Sequence, residues 1–520
     1  MRNNCARKML GGMLVGFVCL GCATQGPDVD IRIVNGTVID GTKTGGDANR
    51  ILDIVGDTIV YIGPMREGTV RQTIDASGMV VAPGFIDPHT HTFGDLSEPD
   101  LAVNAAYLFQ GVSTVFVGND GGDGRYAEIE QRLNSHSIGT NVGVFVGHGS
   151  IRRQVLGNNN RPPTNAELRA MQNAVAQDMQ AGAFGLSTGL FYAPGSFAEL
   201  AEVVALAKVA ARYGGIYESH IRDESNYSIG LLGAIEEAIE VGRQAGLPVH
   251  IAHLKALGPS VHGQSKEIVR LVEAARAEGL KVTADQYPWL ASGTRFSNAL
   301  IPRRIMTDGV HGLRRKLERP ELVTSIQSEM LENLARRGGA DALLITGNSE
   351  HQGKTLDEVA AQLTTTPTAA AIDIVKAGDP AVASFMMDAD DVRHLMVQEW
   401  VVTSSDGSRG HPRKFASFPQ KYARYVQSEG LVDLVTFVYR SSGATAGILN
   451  ICDRGLLRTG YKADVVIFSP ESYQPQATYE KPEELAEGVA YLMVNGDLAI
   501  REGRLDSPIA GRVLNRKTCG

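Results

Sequence analysis

Val80-Val81-Ala82-Pro83-Gly84-Phe85-Ile86-Asp87-Pro88-His89-Thr90-His91 reads as a buried apolar strand that runs into two histidines one residue apart. Side chains on a strand alternate faces, so His89 and His91 are expected on one side and Thr90 on the other. Two imidazoles on one face of a strand end are a ready pair of metal ligands. A pair of surface histidines after a strand is the plainer alternative. The choice between them turns on whether other strand ends carry further ligands.

Working outward, strand-like runs recur at Ser113–Gly118, Asn141–Gly147, Phe184–Ser187, Gly215–His220, Leu247–His253, Lys281–Asp285 and Glu399–Ser405. Amphipathic stretches such as Phe197–Tyr213, Ile229–Ala245 and Lys266–Glu278 separate many of them. With the opening stretch this is the βα order of a closed parallel barrel, an α/β fold of the (β/α)8 TIM-barrel type over residues 80–454. An open doubly wound sheet would place a glycine-rich phosphate loop after its first strand, and none follows here. Residues 296–398 exceed an ordinary βα connection and are expected to form a helical insertion over the barrel mouth. Residues 28–79 and 455–520 show short β-branched runs broken by Gly and Asp turns. The two ends are expected to pair into one small β-domain.

In such a barrel the functional site lies at the C-terminal strand ends. Four of these ends carry ligand-type residues: His89 and His91 on the first, His220 on the fifth, His253 on the sixth and Asp406 on the eighth. One histidine at a strand end is usually structural; three strand ends with histidine plus a terminal aspartate point to a cation. His253 stands at its strand's mouth, whereas His250 is expected deeper or facing outward.

Several motifs resemble the D-aminoacylases, N-acyl-D-amino-acid deacylases of the amidohydrolase superfamily. The Pro83-Gly84-Phe85-Ile86-Asp87-Pro88-His89-Thr90-His91 run resembles that superfamily's first-strand signature. Gly185-Leu186-Ser187-Thr188-Gly189-Leu190-Phe191-Tyr192, Ser219-His220-Ile221-Arg222-Asp223-Glu224, Ala252-His253-Leu254-Lys255 and Asp285-Gln286-Tyr287-Pro288 resemble the family itself, and the likeness runs from about residue 30 to 515. The resemblance implies hydrolysis of the amide of an N-acyl-D-amino acid with one or two zinc ions. It also implies that Lys255, Tyr287 and Tyr192 bind substrate. Many amidohydrolases bridge two metals with a fourth-strand lysine, but no lysine lies between Lys43 and Lys208. D-aminoacylases use a cysteine after the second strand instead. Here Asp120, within Gly118-Asn119-Asp120-Gly121-Gly122, stands in its place; a glycine-flanked turn aspartate is the bland alternative. A carboxylate is a harder ligand than a thiolate and can bridge two ions.

Zinc held by Asp120, His220 and His253, with His89 and His91 on the same or a second ion, would activate water, and Asp406 would serve as general base and then acid. Arg295 is a further candidate for holding a carboxylate and, if it faces the pocket, would favour an acidic substrate side chain. His148, within Gly147-His148-Gly149, is expected to organise a loop. Two other readings remain open: an amidohydrolase of cyclic amides or dipeptides, and a non-catalytic binding lipoprotein.

The chain has 520 residues and a net charge of -8, with no basic stripe, which argues against nucleic acid as a partner. Arg2, Arg7 and Lys8 precede the apolar run Met9–Gly21, too short to span a bilayer and suited to a signal peptide over residues 1–21. Cys19-Leu20-Gly21-Cys22 is similar to a bacterial lipobox, so Cys22 is expected to carry a lipid and the protein to be exported, periplasmic or membrane-anchored. Cys452 and Cys519 lie outside this leader, too few for a disulfide framework.

Overall fold

The computed structural model describes residues 28–347, 349–506 and 510–516. The expected leader and Cys22 lie outside them.

The strands that position the site are β1 (Phe85–Asp87), β2 (Val112–Val117), β3 (Asn141–Val144, continued by Val146–Gly147), β4 (Gly185–Gly189), β5 (Ile216–His220), β6 (Val249–Ile251), β7 (Val282–Gln286) and β8 (Val401–Thr403). All neighbours pair parallel, β1 to β3 in one sheet and the β3 continuation to β8 in another. Their residues are almost all buried, which is why they read as unbroken apolar runs rather than alternating ones. Helices Leu200–Arg212, Gly230–Ala245 and Ser265–Ala277 cover β4 to β7 and bury Leu206, Ile235 and Ile268, among others. No sheet closes on itself among the described residues. The loops after β8 and β1 are nevertheless joined: Asp406 N–H donates to the His89 carbonyl at 3.0 Å, and Thr90 bridges Gly407.

The opening stretch is not one strand. Val80–Pro83 pairs antiparallel with Val465–Phe468, whereas Phe85–Asp87 pairs with β2. The break falls at Pro83-Gly84, where proline lacks an N–H and any side chain at Gly84 would collide with Ser113. His89 and His91 therefore leave from a loop, and strand alternation is not what aims them. The six-stranded sheet built on Val80–Pro83 also holds Thr37–Val38, Val489–Val494, Asp497–Arg501 and Arg504–Leu505, so the two ends of the chain share it. Ile33, Leu52 and Ile54 of a separate four-stranded sheet pack against Val465 and Ile467.

The insertion is not purely helical. Helices such as Pro320–Arg336 and Pro367–Ala377 surround a three-stranded antiparallel sheet, in which Ala291–Arg295 and Leu343–Ile345 flank Ala381–Phe385. It starts before residue 296, because Ala291–Arg295 already belongs to it. A run such as Ala-Ser-Gly-Thr-Arg carries no alternating signal to reveal a strand.

Candidate metal centre

The expected ligands converge from separate strand ends. His220 closes β5, and His89, His91, Asp120, His253 and Asp406 leave from the loops after β1, β2, β6 and β8. Three of these residues sit in left-handed backbone: Asp120 (φ 56°), His253 (φ 34°) and Asp406 (φ 48°). Such conformations are rare away from glycine and persist where the surroundings enforce them. Gly189 on β4 is one enforcing contact, since any side chain there would collide with the Asp120 carbonyl.

Asp120 is the centre of the group. Its Oδ1 lies 3.4 Å from His89 Nε2 and 3.6 Å from His253 Nε2. Its Oδ2 lies 3.4 Å from His220 Nδ1 and 3.7 Å from His91 Nε2. Three triads bring their ligand atoms within 4.8 Å of one another: His89, His91 and Asp120; His89, His253 and Asp406; Asp120, His220 and His253. His89 Nε2, Asp120 Oδ1 and His220 Nδ1 are buried without any hydrogen-bond partner. Ligands about 2.05 Å from a tetrahedral zinc are separated by about 3.3 Å, close to the spacing of these atoms. The donor set fits zinc.

The surrounding carboxylates orient the rings. Glu218 Oε1 is 3.0 Å from His89 Nδ1, and Glu224 Oε1 is 3.1 Å from His253 Nδ1. With Nδ1–H donating to Glu218, the His89 Nε2 lone pair points into the cluster, as metal-binding histidines require; His253 Nδ1 also meets Lys255 Nζ at 2.7 Å. Burial works against charge on His89, but the Glu218 hydrogen bond and the Asp120 carboxylate override it and raise its pKa to about 9. Burial and Lys255 oppose charge on His253, yet Asp406, Glu224 and Asp120 carry it to about 10. For His220 burial prevails and the pKa falls. A cation and these protons compete for the same lone pairs. Asp406 Oδ1 lies 3.1 Å from His91 Nε2, and its Oδ2 takes a 2.7 Å ion pair from Arg413. Burial pushes the Asp406 pKa upward, but Arg413 and the histidines hold it well below the usual carboxylate range.

A cavity of about 640 Å³ opens above the cluster, lined by His91, Asp120, His220, His253 and Asp406, and also by Tyr192, Lys255 and Arg295. The Tyr192 ring lies 4.8 Å from that of His220. Lys255 donates to Glu224 Oε1 at 2.5 Å and to the His253 carbonyl at 2.8 Å, so its charge is neutralised within the wall. Tyr287 is not on the cavity wall: it is buried, with Arg413 over its ring at 5.0 Å. Arg413, 2% exposed and on the wall, is the cation beside Asp406. Sequence reasoning passed over Arg413, which has no periodic signal. It also gave no role to Glu218 and Glu224, although Glu218 shares a strand face with His220. His250 bonds Asp285 at 3.0 Å, whose other oxygen accepts from the His253 N–H, and His148 bonds Glu202 at 2.9 Å; neither histidine lines the cavity.

A family model described as amidohydrolase family matches residues 72–299. Over 517 residues the chain is 32% identical to the D-aminoacylase of Alcaligenes xylosoxydans xylosoxydans, covering 94% of this chain and 98% of the relative. The chain belongs to the D-aminoacylase family of amidohydrolases. Its α/β fold matches solved structures of the D-aminoacylase family. One is the N-acyl-D-glutamate deacylase from Bordetella bronchiseptica complexed with zinc and a phosphonate mimic of the tetrahedral intermediate (TM-score 0.80, 30% identity, 94% of this chain and 99% of that one). Another is a D-aminoacylase with a binuclear metal centre, described by one-metal activation and second-metal attenuation (TM-score 0.80, 30% identity, 94% and 100%).

Proposed function

We propose that this protein hydrolyses the amide bond of N-acyl-D-amino acids, releasing a carboxylate and the free D-amino acid. The observation that carries the reading is the partnerless His89, Asp120 and His220 atoms beneath a cavity whose wall pairs Asp406 with Arg413. Zinc, as one ion or two, held by His89, His91, Asp120, His220 and His253, would supply Lewis acidity for the amide carbonyl and for a water molecule. Asp406, ionised and steered by Arg413, takes the proton from the attacking water and returns it to the departing amine nitrogen. Arg413 has Nε buried without a partner and is suited to the substrate α-carboxylate, with Tyr192 beside it and Tyr287 bracing the guanidinium from behind. Lys255 acts through Glu224, holding the carboxylate that orients His253. The D preference rests on the family alone.

The same proposal includes a closed eight-stranded barrel over residues 80–454 and a small β-domain formed by residues 28–79 and 455–520. The Asp406–His89 and Thr90–Gly407 links across β8 and β1 support closure. We also propose export. Cys452 is disulfide-bonded, which suits an oxidising compartment, and lipidation at Cys22 would add attachment to a membrane.

The test is Asp406→Asn assayed on paired D- and L-N-acetyl amino acids alongside metal analysis. Turnover of the D substrate is expected to fall by about 10³-fold with metal content unchanged. Near-normal turnover in the variant, or equal wild-type rates on both enantiomers, would reject the reading.

A further inference from the structure

Two fully buried carboxylates belong neither to the metal cluster nor to the cavity wall: Asp87, which ends β1, and Asp285, one residue before the end of β7. A carboxylate withdrawn from water is costly unless donors meet it, so the donors that each has gathered show what the burial secures.

Each uses one oxygen as a two-way tie. Asp87 Oδ1 accepts from the His89 N–H at 3.2 Å and from the Ser405 N–H at 3.1 Å. Asp285 Oδ1 accepts from the His253 N–H at 3.0 Å and from the Ser404 hydroxyl. In both ties one donor belongs to an expected metal ligand, and the other to the Ser404-Ser405 pair that leads into Asp406. Two donors on a single oxygen stand no more than about 6 Å apart. Hydrogen bonds to an ionised acceptor are also stronger than neutral ones. The two ties thus set the spacing between the ligand backbones and the segment that carries Asp406.

The backbone shows why such ties are needed. His253 and Asp406 are both left-handed, at φ 34° and 48°, a geometry that persists where its surroundings over-determine it. Asp285 grips the N–H of the first directly and reaches the second through Ser404. His250 steadies this carboxylate from behind. Its Nε2 bonds Asp285 Oδ2 at 3.0 Å and its Nδ1 bonds Thr283 Oγ1 at 2.9 Å, which leaves Oδ1 for the tie.

We propose that Asp87 and Asp285 are positioning residues that hold the general base Asp406 in register with the metal ligands His89 and His253. The inference rests on the deacylase reading above, and its experiment separates the two arms of the Asp285 tie. Ser404→Ala cuts only the arm to the base, Asp285→Ala cuts both arms, and Asp285→Asn keeps Oδ1 and with it both arms. For each variant kcat and KM are measured on the fastest N-acetyl-D-amino acid of a panel, and zinc affinity by competition with a chelator.

Ser404→Ala is expected to lower kcat about tenfold, with KM and zinc affinity within about threefold of wild type. Asp285→Ala is expected to lower kcat about 100-fold and zinc affinity about tenfold, and Asp285→Asn to stay within about threefold in both. The same contrast is expected between Asp87→Ala and Asp87→Asn, and its absence would remove Asp87 from the pair. A wild-type kcat in Ser404→Ala, or equal losses in Asp285→Asn and Asp285→Ala, would overturn the ties while leaving the deacylase reading intact. If Asp285→Ala does not fold, Ser404→Ala decides. If no N-acyl-D-amino acid is hydrolysed, the deacylase reading falls and chelator competition decides the ties: weaker zinc binding confined to the alanine variants of Asp87 and Asp285 supports them, and unchanged affinity overturns them.

Discussion

Two regions meet at the cavity, the ring of strand ends and the inserted segment that walls it. The strand ends bring His89, His91, Asp120, His220, His253 and Asp406 within a few ångströms of one another and back the rings with Glu218 and Glu224. The insertion brings Arg295 and Arg337, mounted on a small antiparallel sheet and a helix end. The first set is crowded with complementary charge and fixed by strained backbone; the second carries Arg295 and Arg337 beside Asp379, with no ion pair among them. The contrast divides the labour between reaction and choice of substrate, and each variant below is a way to break or sharpen that division.

The largest effect belongs to Asp120→Asn, which removes the central carboxylate but tolerates the left-handed backbone. Turnover is expected to drop by more than about 10³-fold with loss of bound metal, measured by elemental analysis after dialysis. A variant that keeps a full metal complement would remove Asp120 from the ligand set. Glu218→Gln acts one step away and should weaken metal binding by about 10–100-fold, read by competition with a chelator. Arg295→Gln, at the exposed rim, should slow only substrates with an acidic side chain or acyl group, by less than about tenfold, with metal content unchanged. If it instead stripped metal, the two regions would not be separable.

The smallest effect on turnover is expected from Lys421→Met, which belongs to neither the metal cluster nor the cavity wall. Lys421 is fully buried and donates to Thr403 on β8 at 2.9 Å, and burial lowers its pKa to about 7. Between pH 7 and the unfolded value the unfolded chain binds the extra proton, so this lysine makes wild-type stability rise with pH across that window. Below it the folded chain carries the full cost. Lys421→Met is therefore expected to stabilise the protein, by on the order of 3 kcal/mol at pH 6 and progressively less towards pH 10. Denaturant melts at both pH values check this, and a constant difference would refute the assignment.

How much was legible beforehand divides along the same line. Parallel strands buried on both faces announce themselves as apolar runs, and ligands at their ends inherit that clarity, as at Ile216–His220. Gly84 was misread because apolar residues continue on both sides of Pro83-Gly84, which hides the point where one sheet hands the chain to another. Arg337 and Arg413 were invisible because each is one arginine among many in a charged stretch, and only tertiary packing removes its water. Tyr287 was assigned to substrate by its motif, and the motif carries no sign of the Arg413 guanidinium that lies over its ring. Lys255 sits on the wall, yet only the structure reveals the carboxylate already waiting for it.

The pairing of Val80–Pro83 with Val465–Phe468 has a consequence for how the protein is made. The peptide that leads directly into His89 and His91 is stitched to a partner synthesised nearly four hundred residues later. On the ribosome the first histidine pair emerges long before the strand that anchors its lead-in. Deleting Val465–Phe468 is thus a way to unseat the histidine pair from a distance.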